Sequence, residues 1–131
     1  MAQPAITEDI RRFVLTSIPS VPHLEALLLL RAGTRKAWNV ADVAERLYIS
    51  EKNSAGLLED LCEAGMVVVD KAAAVAPAYR YQPASEQLRA TIDDLADLYA
   101  RRLVDVTHLI HSKLDRKAQQ FADAFKWRKD A

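Results

Sequence analysis

Apolar positions recur most regularly between Trp38 and Tyr81, in the order of two helix patterns followed by two extended segments. Val40, Val43, Ala44 and Leu47 return at three and four residues, the spacing of one helical face, with Asn39 placed as the cap. Tyr48 and Ile49 break that run. Ser50 is positioned to cap a second helix with Leu57, Leu58, Leu61 and Cys62 on its inner side. Gly65 ends that helix, because a residue without Cβ enters the left-handed region cheaply. Met66 to Val69 is a β-branched run suited to a strand, closed by Asp70. Lys71 to Ala78 is small and contains Pro77, so it reads as a hairpin loop, and Tyr79, Arg80 and Tyr81 alternate as the returning strand.

The flanks follow the helical period. Thr7 caps a first helix with Ile10, Phe13, Val14 and Ser17 inward. Pro19 and Pro22 mark a break, and a second helix runs from about His23 to Gly33. Leu24, Leu27, Leu28 and Leu30 make this helix apolar on nearly every side, so it belongs at the centre of the core. Arg35 to Trp38 is read as a brief strand that completes a three-stranded sheet, with Trp38 packed beneath it. From Ser85, the residues Leu88, Ile92, Leu95, Tyr99, Leu103, Val106 and Ile110 form one long stripe. A second copy of the chain would cover it in a two-fold dimer; the competing reading is that it folds back on its own chain. Ser112 with Asp115 resembles a capping signal, so a bend and a short last helix are expected there. Phe121, Phe125 and Trp127 then stand among lysines and arginines, either docked on the domain or forming a docking segment for a partner protein or a nucleic-acid backbone.

This order predicts a mainly α fold with a small antiparallel hairpin or three-stranded sheet, a winged helix-turn-helix with a long C-terminal helix. Residues 1–84 form the winged-helix domain with its N-terminal helices, 85–112 the dimerisation helix, and 113–131 a basic-aromatic tail or short helix.

Composition narrows the function classes. The 131 residues are half hydrophobic, and eighteen basic residues balance eighteen acidic ones, so any nucleic-acid contact must come from local patches. A lone Cys62 and the lack of a signal-peptide pattern place the chain in a reducing cytoplasm, and the longest apolar run, Ala26 to Leu30, is too short to span a bilayer. With three glycines there is no phosphate-cradling loop, and no nucleophile sits in a recognisable elbow, so neither an enzyme nor a cofactor is expected. His108 and His111 lack a fixed third ligand and read as a solvated or interfacial face, Cys62 reads as a small core residue, and His23 has no partner identifiable from sequence.

The chemistry that remains is recognition. In helix-turn-helix docking the first turns of the second helix reach base edges, and here they offer Lys52, Asn53 and Ser54. Arg35, Lys36, Lys71 and Arg80 are placed to hold flanking phosphates. Against this, Gly56 occupies a mid-helix position where a reading side chain would be useful, and Glu51, Glu59, Asp60 and Glu63 make the helix net acidic. A winged helix that packs on protein, without sequence-specific DNA binding, is therefore the second reading.

The stretches LEALLLLRAG, WNVADVAERLYIS, SEKNSAGLLEDLCEAGMVVV and YRYQP, from Leu24 to Tyr81, resemble winged-helix transcriptional regulators of the MarR type, with PadR-like regulators second. The resemblance implies a homodimer on a pseudo-palindromic operator, often with a small-molecule effector between the domains. It puts Lys52, Asn53 and Ser54 where that family reads DNA, and Lys71 to Arg80 at its wing. The alanine-rich wing and Gly56 depart from the family's pattern.

Overall fold

The computed structural model describes residues 6–70 and 77–112. Lys71, Asp115, Phe121, Phe125 and Trp127 lie outside these described residues, as do the expected last helix and the docking segment. The described chain runs α1 (Glu8–Ser17), α2 (Val21–Ala32), β1 (Trp38–Asn39), α3 (Val40–Leu47), α4 (Glu51–Glu63), β2 (Val67–Asp70), β3 (Ala78–Tyr81) and α5 (Glu86–Arg101). A further helix, α6, covers 103–112.

The helix starts are set by side-chain caps, which satisfy first-turn amides that have no partner inside the helix. Thr7, Ser20, Asn39, Ser50 and Ser85 each accept from the amide three residues on. Helix α2 begins at Val21, before Pro22 rather than after it. A proline in the first turn removes only an amide that the helix would leave unpaired. The stop at Gly33 has a packing cause: a Cβ there would meet the Trp38 indole at 3.0 Å. Trp38 is buried against it and donates Nε1–H to the Gly33 carbonyl at 3.4 Å.

Leu24, Ala26, Leu27 and Leu30 of α2 are fully buried, which confirms this helix as the centre of the core. Around it pack α3, α4 and β3. The sheet is antiparallel in the order β1-β3-β2, with Val67 opposite Tyr81, Val69 opposite Tyr79 and Trp38 also opposite Tyr79. The first strand lies three residues later than the expected start at Arg35. The Lys36 amide turns back to the Gly33 carbonyl at 3.0 Å, so the chain extends only from Trp38.

The long helix expected from Ser85 is broken. Helix α5 ends at Arg101, and Arg102, with φ −136° and ψ 53°, starts α6 by accepting from the Val106 amide while its guanidinium holds Asp105 at 2.7 Å. A straight helix over the whole stripe would run about 40 Å, longer than this domain can cover. The bend returns Val106, Leu109 and Ile110 to the core and leaves Leu103 and Val104 outside, 52% and 61% exposed. Ile92, Leu95, Leu98 and Tyr99 are buried within the same chain, so the cover expected from a second copy is supplied internally at these positions.

Two polar links hold α5 to α2. Arg31 donates to Asp93 at 3.0 Å, and the Tyr99 hydroxyl donates to Glu25 Oε1 at 2.7 Å. Burial first, and then the Glu25 carboxylate, push the Tyr99 phenol up from 10.0 to about 12. Above pH 10 the unfolded chain releases a proton that the folded phenol keeps, so this group lowers stability as pH rises through that window. Tyr99→Phe is expected to lose about 1–3 kcal/mol near neutrality and to show a shallower alkaline decline, both read from urea unfolding across pH.

Candidate nucleic-acid interface

Helices α3 and α4 form a tight pair. Helix α3 closes with Tyr48 in the left-handed region (φ 56°, ψ 45°), where the Tyr48 and Ile49 amides both bond the Ala44 carbonyl. Ser50 then caps α4 through the Asn53 amide at 3.1 Å. The two helices are fastened by Ser54, which is 0% exposed and whose hydroxyl donates to the Val40 carbonyl at 2.8 Å. This corrects the expectation that Ser54 reads bases: it faces inward, as do Leu57, Leu58 and Leu61.

The outer side of α4 carries Lys52, Gly56, Glu59 and Glu63, spaced four, three and four residues apart on one stripe. Lys52 and Asn53 are exposed on the leading turn, so two of the three expected base-reading residues are presented together. The acids occupy the later turns. A Cβ on Gly56 would meet nothing within 4 Å, so this position is a notch in the ridge and no close packing requires glycine there.

The expected phosphate contacts divide. Arg35 is exposed at the bend before β1. The Lys36 ammonium lies 4.2 Å from the centroid of the Trp38 ring and 3.8 Å from Asp42, and Arg46 approaches the same ring at 5.8 Å. Arg80 is committed to the hairpin: it donates to Asp70 at 3.1 Å and to the Thr34 carbonyl at 3.3 Å, so its first role is to tie β3 to β2 and to the end of α2. Cys62 is half-buried against the core, as expected, and among the described residues no three His, Cys, Asp or Glu side chains come together as a metal site.

Sequence reasoning missed the setting of His23. Its ring is buried between Ser20 Oγ at 2.6 Å from Nδ1 and Asp60 Oδ2 at 2.8 Å from Nε2. The ring thus has a hydrogen-bond partner at each nitrogen, a hydroxyl on one side and a carboxylate on the other. This bridge joins the start of α2 to the middle of α4 and walls a groove of about 400 Å³ that also touches Lys52, Asn53 and Gly56. Asp60 is thirty-seven residues away, a distance that no local pattern in the sequence spans.

No family model and no curated protein matches the sequence. Solved structures do. The homodimeric winged helix-turn-helix DNA-binding domain of a possible ArsR-family transcriptional regulator from Mycobacterium bovis is similar at TM-score 0.54 and 18% identity, covering 79% of this chain and 94% of that one. A MarR family protein from Bacillus stearothermophilus gives 0.53 at 15% identity, over 88% and 84% of the two chains. A MepR variant from S. aureus, bound to an oligodeoxyribonucleotide, gives 0.54 at 15% identity, over 94% and 87%. The fold is a winged helix. Within it α3 and α4 are the helix-turn-helix pair, the hairpin β2–β3 is the wing, and β1 is the short strand that closes the sheet. No single helix among the described residues is long and apolar enough to cross a membrane.

Helix α4 yields a paired prediction. Ser54→Ala removes a buried hydroxyl and leaves the Val40 carbonyl short of a donor, and should lower unfolding free energy by about 1 kcal/mol. Gly56→Ala fills open space and should raise it by about 0.8–1 kcal/mol. Urea denaturation of the two variants beside the parent checks both signs.

Proposed function

We propose that this winged helix is a transcriptional regulator that binds duplex DNA as a homodimer. The observation that carries the reading is the leading turn of α4, read here as the recognition helix, where Lys52 and Asn53 are presented side by side at a capped helix start. That is the end which enters the major groove in helix-turn-helix docking, Lys52 toward guanine or phosphate and Asn53 toward adenine. The acidic later turns are compatible with this, because only the helix start has to reach the bases. Arg35 supplies a flanking phosphate contact, and Lys71, which follows Asp70 in the sequence, a further one. The fold of a homodimeric DNA-binding domain and of a protein bound to an oligodeoxyribonucleotide supports the same reading.

A second reading has its own observation. Glu59 and Glu63 are exposed on the outer stripe of the recognition helix, beyond the notch at Gly56. Such a surface suits a basic protein partner, with Phe121, Phe125 and Trp127 of the tail as a further docking segment.

Gel retardation on duplexes selected from random sequence separates the two. DNA binding should weaken linearly in log K against log salt, and Lys52→Ala should reduce that slope by about one per protomer. Binding that is absent, or insensitive to salt, would reject the DNA reading in favour of the protein one.

A further inference from the structure

The same capping geometry occurs at the ends of both helices of the helix-turn-helix, with opposite residue choices. At the end of α4 the left-handed position is Gly65 (φ 77°): the Met66 amide bonds the Leu61 carbonyl at 3.0 Å, and the Gly65 amide bonds Cys62 at 3.0 Å. At the end of α3 it is Tyr48 (φ 56°), with the Ile49 amide on the Ala44 carbonyl at 3.1 Å. Tyr48 is the one non-glycine residue with positive φ among the described residues. It is also 95% exposed, the most exposed large hydrophobic side chain among them. An L-residue is disfavoured in this backbone region, and a solvated aromatic ring gains nothing from folding. Two unfavourable features therefore coincide on one residue, in the turn between the two helices, where glycine would satisfy the backbone.

What Tyr48 offers outward is a phenol hydroxyl at the end of an exposed ring. The surface around it is electrically mixed: Glu45 and Arg46 precede it, and Glu51 and Lys52 follow, all exposed. A charged anchor here would gain little net attraction. An uncharged hydroxyl donates to a phosphate oxygen without needing a positive field, as tyrosines in protein–DNA interfaces do. In helix-turn-helix docking the first helix crosses the backbone while the second enters the groove, so the turn joining them faces the strand edge.

On the reading of this protein as a DNA-binding regulator, we propose that Tyr48 is a DNA-backbone anchor: its hydroxyl donates to a phosphate and fixes the angle at which Lys52 and Asn53 enter the groove. It positions the complex and reads no base.

The test uses the full chain and a duplex selected from random sequence. Tyr48→Phe should weaken retardation by about tenfold and leave the slope of log K against log salt unchanged, since no counterion is released by an uncharged contact. Lys52→Ala, in contrast, lowers the slope. Tyr48→Gly should raise Tm by a few degrees as the backbone relaxes, yet bind no better than Tyr48→Phe. Parental affinity in both Tyr48 variants, while Lys52→Ala still weakens binding, would overturn the anchor and leave the DNA reading standing. Failure of the parent chain to retard any duplex would overturn both.

Discussion

The apolar helix α2 is the constraint that the rest of the structure meets. Leu24, Ala26, Leu27 and Leu30 together cover an arc wider than a single stripe, so they are removed from water only where neighbours pack on several sides of the helix. Helices α3 and α4 take one flank, the β3 strand and Trp38 close the end near Gly33, and α5 is fastened by Tyr99 and Arg31. Helix α4 is thus held by its inner face alone. Its outer face is left to solvent, which is the precondition for any use of it as a contact surface.

That outer face is polarised along its length. The start carries an amide and an ammonium at a capped helix terminus, where unpaired backbone amides add partial positive charge. The later turns carry carboxylates. With equal numbers of acids and bases in the whole sequence, no long-range field favours one partner, and the choice falls to these local groups. Of the cations expected to help, Arg80 and Lys36 are drawn into the fold's own contacts, Asp70 and Trp38 respectively. Among the described residues of that set, Lys52 at the head of the helix and Arg35 before β1 are left exposed.

The fold was legible because its signals were local. Asn39, Ser50 and Ser85 announced helix starts, Gly65 announced a stop, and the valine run announced a strand, each through backbone chemistry within a few residues. What the sequence concealed was non-local. The unbroken stripe from Leu88 to Ile110 carries no breaker residue, and only the finite extent of the core, which the linear pattern does not express, turns the chain at Arg102. Ser54 looked like a reading residue by position. Its orientation was decided by the Val40 carbonyl of the neighbouring helix. The His23–Asp60 bridge depends in the same way on how two distant helices lie together.

One small feature reaches further than its size suggests. Asn39 pairs with Ala78 in the sheet while its side chain accepts from the Asp42 amide at 2.7 Å, so one residue belongs to the sheet behind the wing and to the first turn of α3, with no spacer between. Swinging the hairpin independently would uncap the helix beside it. Whatever surface this protein meets, wing and helix pair must arrive as a single stiff implement, and adaptation to a curved or irregular target has to come from the target.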